Sequence, residues 1–217
     1  MIGLLSFFQP ETLVFDAKFG PFKAGRLYMI SSGRKSWKGV PAYKFLLIAS
    51  GGVPFYKIED TITSITDTLL RPMLYHKIQH EGNYHAWRWI SYDQDKGKAI
   101  YSDGRTFNIP NGSLDPLSLV YFARTLDYSS NKVFKFPYHV DAVTETVKVR
   151  VLREERVKTP LGEFDCWVVM PEMRSGKNIF GGSGGLKVWI DKESRVPVKV
   201  EAKMIFGSAL GYLIKRN

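Results

Sequence analysis

Four histidines carry the side chain most often recruited for metal binding and proton transfer: His76, His80, His85 and His139. His76 and His80 share a face in an extended chain but stand about 13 Å apart, too far for one ion. His80 and His85 flank Gly82-Asn83. A two-residue turn there sets the two imidazoles directly opposite, with Cβ atoms about 5 Å apart. Two imidazoles at that distance can share an ion. No third ligand is visible in the sequence, so the expectation is a surface pair with no metal.

Other arrangements fail on their chemistry. Asp93-Gln94-Asp95-Lys96-Gly97-Lys98 resembles a calcium loop, but Lys98 stands where the sharp turn needs Gly, and Gly104 where a bidentate Glu is needed. It is expected to be a hairpin turn. Gly181-Gly182-Ser183-Gly184-Gly185 lacks a following Gly-Lys-Ser/Thr and runs into a strand, so no helix dipole assists a phosphate. A loop that gates a cavity suits it better. No nucleophile elbow precedes a helix. Cys166 alternates with Phe164 and Val168 in a strand and is expected to be a buried, inert thiol. Carboxylate pairs such as Asp93/Asp95 and Glu154/Glu155 sit beside turns or alternate faces as solvated charges do. The residues give no positive case for an enzyme, and no cofactor is expected.

Aromatic and basic residues interleave in Tyr84-His85-Ala86-Trp87-Arg88-Trp89-Ile90-Ser91-Tyr92. Trp87 and Trp89 share one strand face. Such a face stacks bases in single-strand nucleic-acid binders. It also lines the cavity of a lipid-binding β bowl, or packs an ordinary core.

The elements that must position these residues are mostly strands. Period-two alternation dominates, broken by Gly20-Pro21, Glu81-Gly82-Asn83, Asp103-Gly104, Thr159-Pro160-Leu161-Gly162 and Asp191-Lys192-Glu193-Ser194. Val147, Val149 and Val151 alternate with Lys148, Arg150 and Leu152. Residues 42–49 form a continuous apolar run, as in a strand buried on both faces. One helix is expected from Ser113, as N-cap, to about Asp127, with Leu114, Leu117, Val120, Tyr121 and Leu126 as its apolar stripe. Aromatic residues make up 14% of the chain, which favours pleated, half-buried surfaces. The single cysteine excludes an internal disulfide and a Cys-based zinc site. The net charge of +10 favours anionic surfaces, but Lys and Arg are spread along the whole chain. Residues 1–8 are apolar and lack a basic region. Residues 1–10 read as part of a secretory signal, or alternatively as a first strand or a frayed end.

From Glu11 to Gly211 the chain resembles the bacterial family of the domain of unknown function 3108. The resemblance lies in Lys23-Ala24-Gly25, in Asp60 and Asp67 followed by Arg71-Pro72, in Glu81-Gly82, and in Tyr92-Asp93. It continues through Ile109-Pro110, Asp115-Pro116-Leu117-Ser118 and Arg124, then Thr159-Pro160-Leu161-Gly162-Glu163-Phe164. It closes in Val188-Trp189-Ile190-Asp191 with Arg195-Val196-Pro197-Val198. The resemblance implies a secreted or envelope protein with no assigned activity. The Trp189-Ile190-Asp191 hairpin is similar to one in periplasmic lipoprotein carriers, whose open barrels hold acyl chains. Asp191 and Arg195 bracket that hairpin and are expected to pair across it.

These observations predict a mainly β protein: a single curved antiparallel sheet or open β-barrel over residues 11–217, with one main helix as lid or plug. The expected function is a non-enzymatic protein of the periplasm or cell envelope that binds a lipid or other amphiphile in its bowl. Trp87, Trp89, Leu117, Tyr121 and Trp189 are the expected cavity wall. A cavity of several hundred Å³ or more is expected beside the helix and the glycine loop. The alternatives are a binder of anionic polymer (nucleic acid or polysaccharide, nucleic acid being the weaker case) and an unrecognised hydrolase. No transmembrane anchor is expected.

Overall fold

The computed structural model describes residues 9–53, 56–129, 132–176, 179, 184–204 and 207–217. The first half of the chain forms β1 (Pro10–Phe19), β2 (Phe22–Trp37), β3 (Val40–Val53), β4 (Tyr56–Thr66), β5 (Pro72–Glu81), β6 (Tyr84–Asp93), β7 (Lys98–Tyr101) and β8 (Thr106–Asn108). A helix, α1 (Pro116–Ala123), follows. The second half forms β9 (Val133–Val140), β10 (Val143–Thr159), β11 (Gly162–Glu172), β12 (Leu186–Asp191), β13 (Pro197–Met204) and β14 (Gly207–Arg216).

Each half is an antiparallel meander in which every strand pairs with its neighbour in sequence. The pairing of β1 with β14 joins the halves into one fourteen-stranded sheet, with β8 and β9 at its ends. The sheet is curved and not closed into a barrel. Alternation works as the sequence suggests in the first part of β10, where Val147, Val149 and Val151 are buried and Lys148 and Arg150 exposed, but a bulge between Val151 and Arg153 breaks it, and Leu152, expected to face outward, is half-buried against the core. Residues 42–49 differ from expectation. Tyr43, Phe45 and Leu47 are buried, Lys44 is exposed, and Leu46 and Ile48 are half-buried, so one face of β3 looks outward.

Gly25 in β2 lies opposite Gly51 in β3. A Cβ on Gly25 would sit 2.2 Å from the Ser50 carbonyl oxygen, and one on Gly51 2.0 Å from that of Ala24. The two backbones approach more closely than any side chain allows, and Gly25 also has φ +132.

The helix fills the concave side of the sheet and packs against β3 and β4. Leu117, Leu119 and Tyr121 are buried, and the Tyr121 ring stacks on Phe45 with centroids 3.8 Å apart. The N-cap is Asp115, two residues later than expected. Its carboxylate accepts from the backbone N–H groups of Leu117 and Ser118, both at 2.8 Å, and from the Ser64 hydroxyl of β4 at 2.6 Å. The Ser118 hydroxyl accepts from the Asp115 N–H at 2.9 Å, completing a capping box. Ser113 is not the cap; its hydroxyl donates to the Pro110 carbonyl at 2.7 Å. Leu114 is extended and exchanges backbone hydrogen bonds with β9. The helix ends at Ala123 rather than Asp127, where Thr125 and Leu126 bond back by three residues and tighten the last turn.

The other end of the helix is held by charge. Arg124 is 2% exposed and pairs with Glu11 of β1 at 2.8 Å. Its Nε donates to the Arg195 carbonyl at 3.0 Å. Arg216, at the end of β14, pairs with the same Glu11 at 3.0 Å. Arg195 does not pair with Asp191 as expected. It has φ +61, donates to the Leu126 carbonyl at 3.1 Å and lies over the Trp167 ring. Asp191 instead accepts from the N–H and hydroxyl of Ser194, closing the β12–β13 turn.

The two ends of the sheet meet through side chains. His139 of β9 hydrogen-bonds the Tyr101 hydroxyl of β7 through Nε2 at 2.9 Å and Thr144 through Nδ1 at 2.7 Å. The Tyr92 hydroxyl of β6 donates to the His139 carbonyl at 2.6 Å. The Ala142 N–H donates to the Tyr101 hydroxyl, and Arg88 pairs with Asp141. Burial pushes His139 down to about 4, partly opposed by Asp141.

Two outcomes follow. Asp115→Ala removes the cap and leaves Ser64 without its acceptor, so urea denaturation should show a loss of about 2–3 kcal/mol. Asp115→Asn, which keeps an acceptor oxygen, should lose clearly less, and equal losses would refute the capping role. For His139 the folded pKa lies below the unfolded one, so the unfolded chain binds the proton more readily. Its contribution is therefore complete above about pH 6.5 and is lost as pH falls towards 4, by about 2 kcal/mol at pH 5. Wild type should show this loss relative to His139→Gln, measured by denaturation at pH 8 and pH 5.

Candidate functional site

The β5–β6 hairpin turns on Gly82-Asn83, with Gly82 at φ +58. That turn sets the register Leu74↔Ser91, His76↔Trp89, Ile78↔Trp87 and His80↔His85. Cross-strand partners share a face, so these eight residues line one side of the hairpin. The other side carries Tyr75, Ile90 and Tyr92, which are buried in the core. The tryptophan stripe therefore lies on the outside of the sheet.

On that outer face is an open groove of about 530 Å³. Its floor is Leu74 and His76 from β5, Trp87, Trp89 and Ser91 from β6, and Ile100 from β7. Lys38, from the β2–β3 turn, supplies a cation at its edge. Trp87 is 60% exposed and Ile100 40%. The His76 ring meets Trp87 edge-on with centroids 5.5 Å apart, and its Nε2 is buried without a hydrogen-bond partner among the described residues. Burial lowers the His76 pKa below its ordinary value, so the ring is neutral at pH 7. The groove thus offers two indole faces, aliphatic surface, a hydroxyl, a neutral imidazole and one ammonium. That set suits an apolar body with an anionic or polar head.

The structure splits the five expected wall residues among three places. Trp87 and Trp89 lie together in the outer groove. Leu117 and Tyr121 are fully buried inside, under the helix. Trp189 is 2% exposed, and the Lys199 ammonium lies 4.1 Å from the centre of its ring. Its strand neighbours Val188 and Ile190 line the small cavity beside the helix, so alternation turns Trp189 to the other face of β12.

That cavity corrects a further expectation. It measures about 30 Å³, room for one water. Leu119, Val120 and Ala123 form its helical wall, and Val149, Val169, Val188 and Ile190 face them. The helix and its rings occupy the concavity that was expected to hold a ligand. Of the glycine loop, Gly181, Gly182 and Ser183 lie outside the described residues. Cys166 is buried as expected, and burial pushes its thiol up to about 12.

Lys38, Leu74, His76 and Ile100 were not expected at a site. The hairpin register alone places His76 opposite Trp89 and Leu74 opposite Ser91, and that signal was available in Glu81-Gly82-Asn83-Tyr84. Lys38 had no such signal, because it reaches the groove from a turn far away in sequence.

No curated protein matches the chain. A crystal structure of a β-barrel-like protein of domain of unknown function DUF1849 from Brucella abortus is similar over 96% of this chain and 97% of that one, with 12% identity and a TM-score of 0.64. A DUF1089 family protein from Pseudomonas aeruginosa aligns with 86% of this chain and 87% of its own, at 8% identity and a TM-score of 0.34. The first likeness extends to the overall fold. The family described as protein of unknown function (DUF3108) matches residues 14–214, nearly the whole sheet from β1 to β14, and the chain belongs to that family.

Proposed function

We propose that this chain is a non-catalytic binding protein of the cell envelope that holds an amphiphile on the outside of its sheet. The observation that carries the reading is Trp87, a 60% exposed indole on the floor of a 530 Å³ groove. Soluble proteins seldom leave large rings open to water beside other apolar side chains unless something covers them. The volume falls within the ordinary range for small-molecule sites, roughly 300–1,000 Å³. Lys38 gives the groove one positive charge, and its lining includes no carboxylate. An anionic head beside Lys38, with the hydrocarbon laid over Trp87 and Trp89, satisfies both ends of such a ligand. None of the described helices is long and apolar enough to cross a membrane. The envelope location follows the family resemblance and the apolar character of the ligand.

Dodecyl sulfate and dodecyl maltoside, both below their micelle concentrations, provide the test. Tryptophan fluorescence should change saturably with each, and the sulfate should bind more tightly. Trp87→Ala should weaken both by about tenfold, since losing most of a buried aromatic contact costs about 1–3 kcal/mol. Its denaturation midpoint should hold, because Trp87 is exposed. Lys38→Ala should remove only the preference for the sulfate. Unchanged binding by Trp87→Ala and Trp89→Ala would overturn the groove as the site. Steeply salt-dependent binding of heparin or single-stranded DNA, with no saturable response to either detergent, would favour an anionic-polymer surface instead.

A further inference from the structure

Beyond the groove, on the same face of the β5–β6 hairpin, stand His80 and His85. Their ring centroids are 5.0 Å apart. An ion about 2.0–2.1 Å from an imidazole nitrogen lies roughly 3.2 Å from the ring centre, so two rings on one tetrahedral ion have centres about 5.2 Å apart. Two adjacent positions of a square-planar ion bring them to about 4.5 Å. The observed spacing falls between these values before any ligand is present.

Several features preorganise the pair. The two-residue turn at Gly82-Asn83 fixes the register, and Glu81 pairs with Tyr84 immediately outside it. The His80 N–H is held at 3.0 Å by the Asp60 carboxylate of β4. Both histidines are exposed, and neither imidazole hydrogen-bonds another described residue. Rotation about χ2 can therefore turn one nitrogen of each ring to a common point. The local charge also favours a cation in a protein of net charge +10. Asp60 bonds the backbone of His80, Glu81 accepts from Gln79 at 2.9 Å, and Glu59 interacts electrostatically with His80. Lys57, which pairs with Glu59 at 2.8 Å, offsets one of these three carboxylates.

The geometry points to a two-imidazole binding site for a divalent zinc- or copper-class ion at His80 and His85. Among the described residues no His, Cys, Asp or Glu makes a group of three around it. Water fills the remaining positions, so the site is open and exchangeable, unlike the closed set of a structural zinc. It is independent of whatever occupies the groove. Its position is informative all the same, because Trp87 lies two residues along the strand from His85, about 7 Å away.

Tag-free protein titrated with zinc chloride in a calorimeter should bind one equivalent saturably. Copper(II) should quench tryptophan fluorescence with the same stoichiometry. His80→Ala and His85→Ala should each abolish both signals, with the thermal midpoint unchanged because both side chains are exposed. His76→Ala should keep the one-equivalent zinc binding, since His76 lies two cross-strand pairs away. Absence of saturable binding in wild type, or its survival in either His80→Ala or His85→Ala, would overturn the site.

Discussion

A buried guanidinium organises this protein. Arg124 leaves the end of α1 at 2% exposure, and its charge is met by Glu11, itself 10% exposed. Taking both groups out of water is costly, and their attraction compensates only where geometry and further hydrogen bonds are good. Here they are: Arg124 also bonds the Arg195 carbonyl, and Glu11 takes a second cation from Arg216. Four parts of the chain converge on that contact: β1, the helix, the β12–β13 turn and the end of β14. These contacts tie the C-terminal end of the plug to both edges of the β1–β14 junction. Asp115 and Ser64 hold its other end to β4.

Seating the plug decides where binding chemistry is found. With Tyr121 stacked on Phe45 and Leu117 and Leu119 packed beside them, the concave side becomes core. A cavity of one water's size remains. Trp87 and Trp89 lie on the convex side, where β5, β6 and β7 form the groove that Lys38 also lines. The helix that resembles a lid over a bowl is a structural insert, and the surface it leaves uncovered is the outer one.

Much of the strand pattern was legible in the sequence because alternation and turn residues agree along most of it. The turn at Glu81-Gly82-Asn83 fixed the His80–His85 register, and Val147, Val149 and Val151 faced inward as their spacing implied. β14 was missed. Gly207, Ser208, Ala209 and Gly211 carry little strand propensity, and the strand is held by pairing on both sides with β1 and β13. The site was half legible. The sequence shows that Trp87 and Trp89 share a face, but not which face looks inward. Both sides of the hairpin are rich in apolar rings: Tyr75, Ile90 and Tyr92 on one, Trp87 and Trp89 on the other. Contacts such as Arg124–Glu11 and Lys38 over the groove join distant residues and leave no local mark.

The junction of β1 with β14 also bears on how the chain finds its fold. Thr12 and Asn217 exchange backbone hydrogen bonds at 3.1 and 3.0 Å, whereas every other ladder joins strands adjacent in sequence. Closing a short hairpin loop costs little entropy, and closing one that spans nearly the whole chain costs most. Two meanders can thus assemble locally at speed, while their union waits for the longest loop to close. Linking the strands at that junction and opening the chain between β8 and α1 would order all fourteen strands in sequence. The same sheet would then form by neighbouring hairpins alone, and its slowest step would vanish.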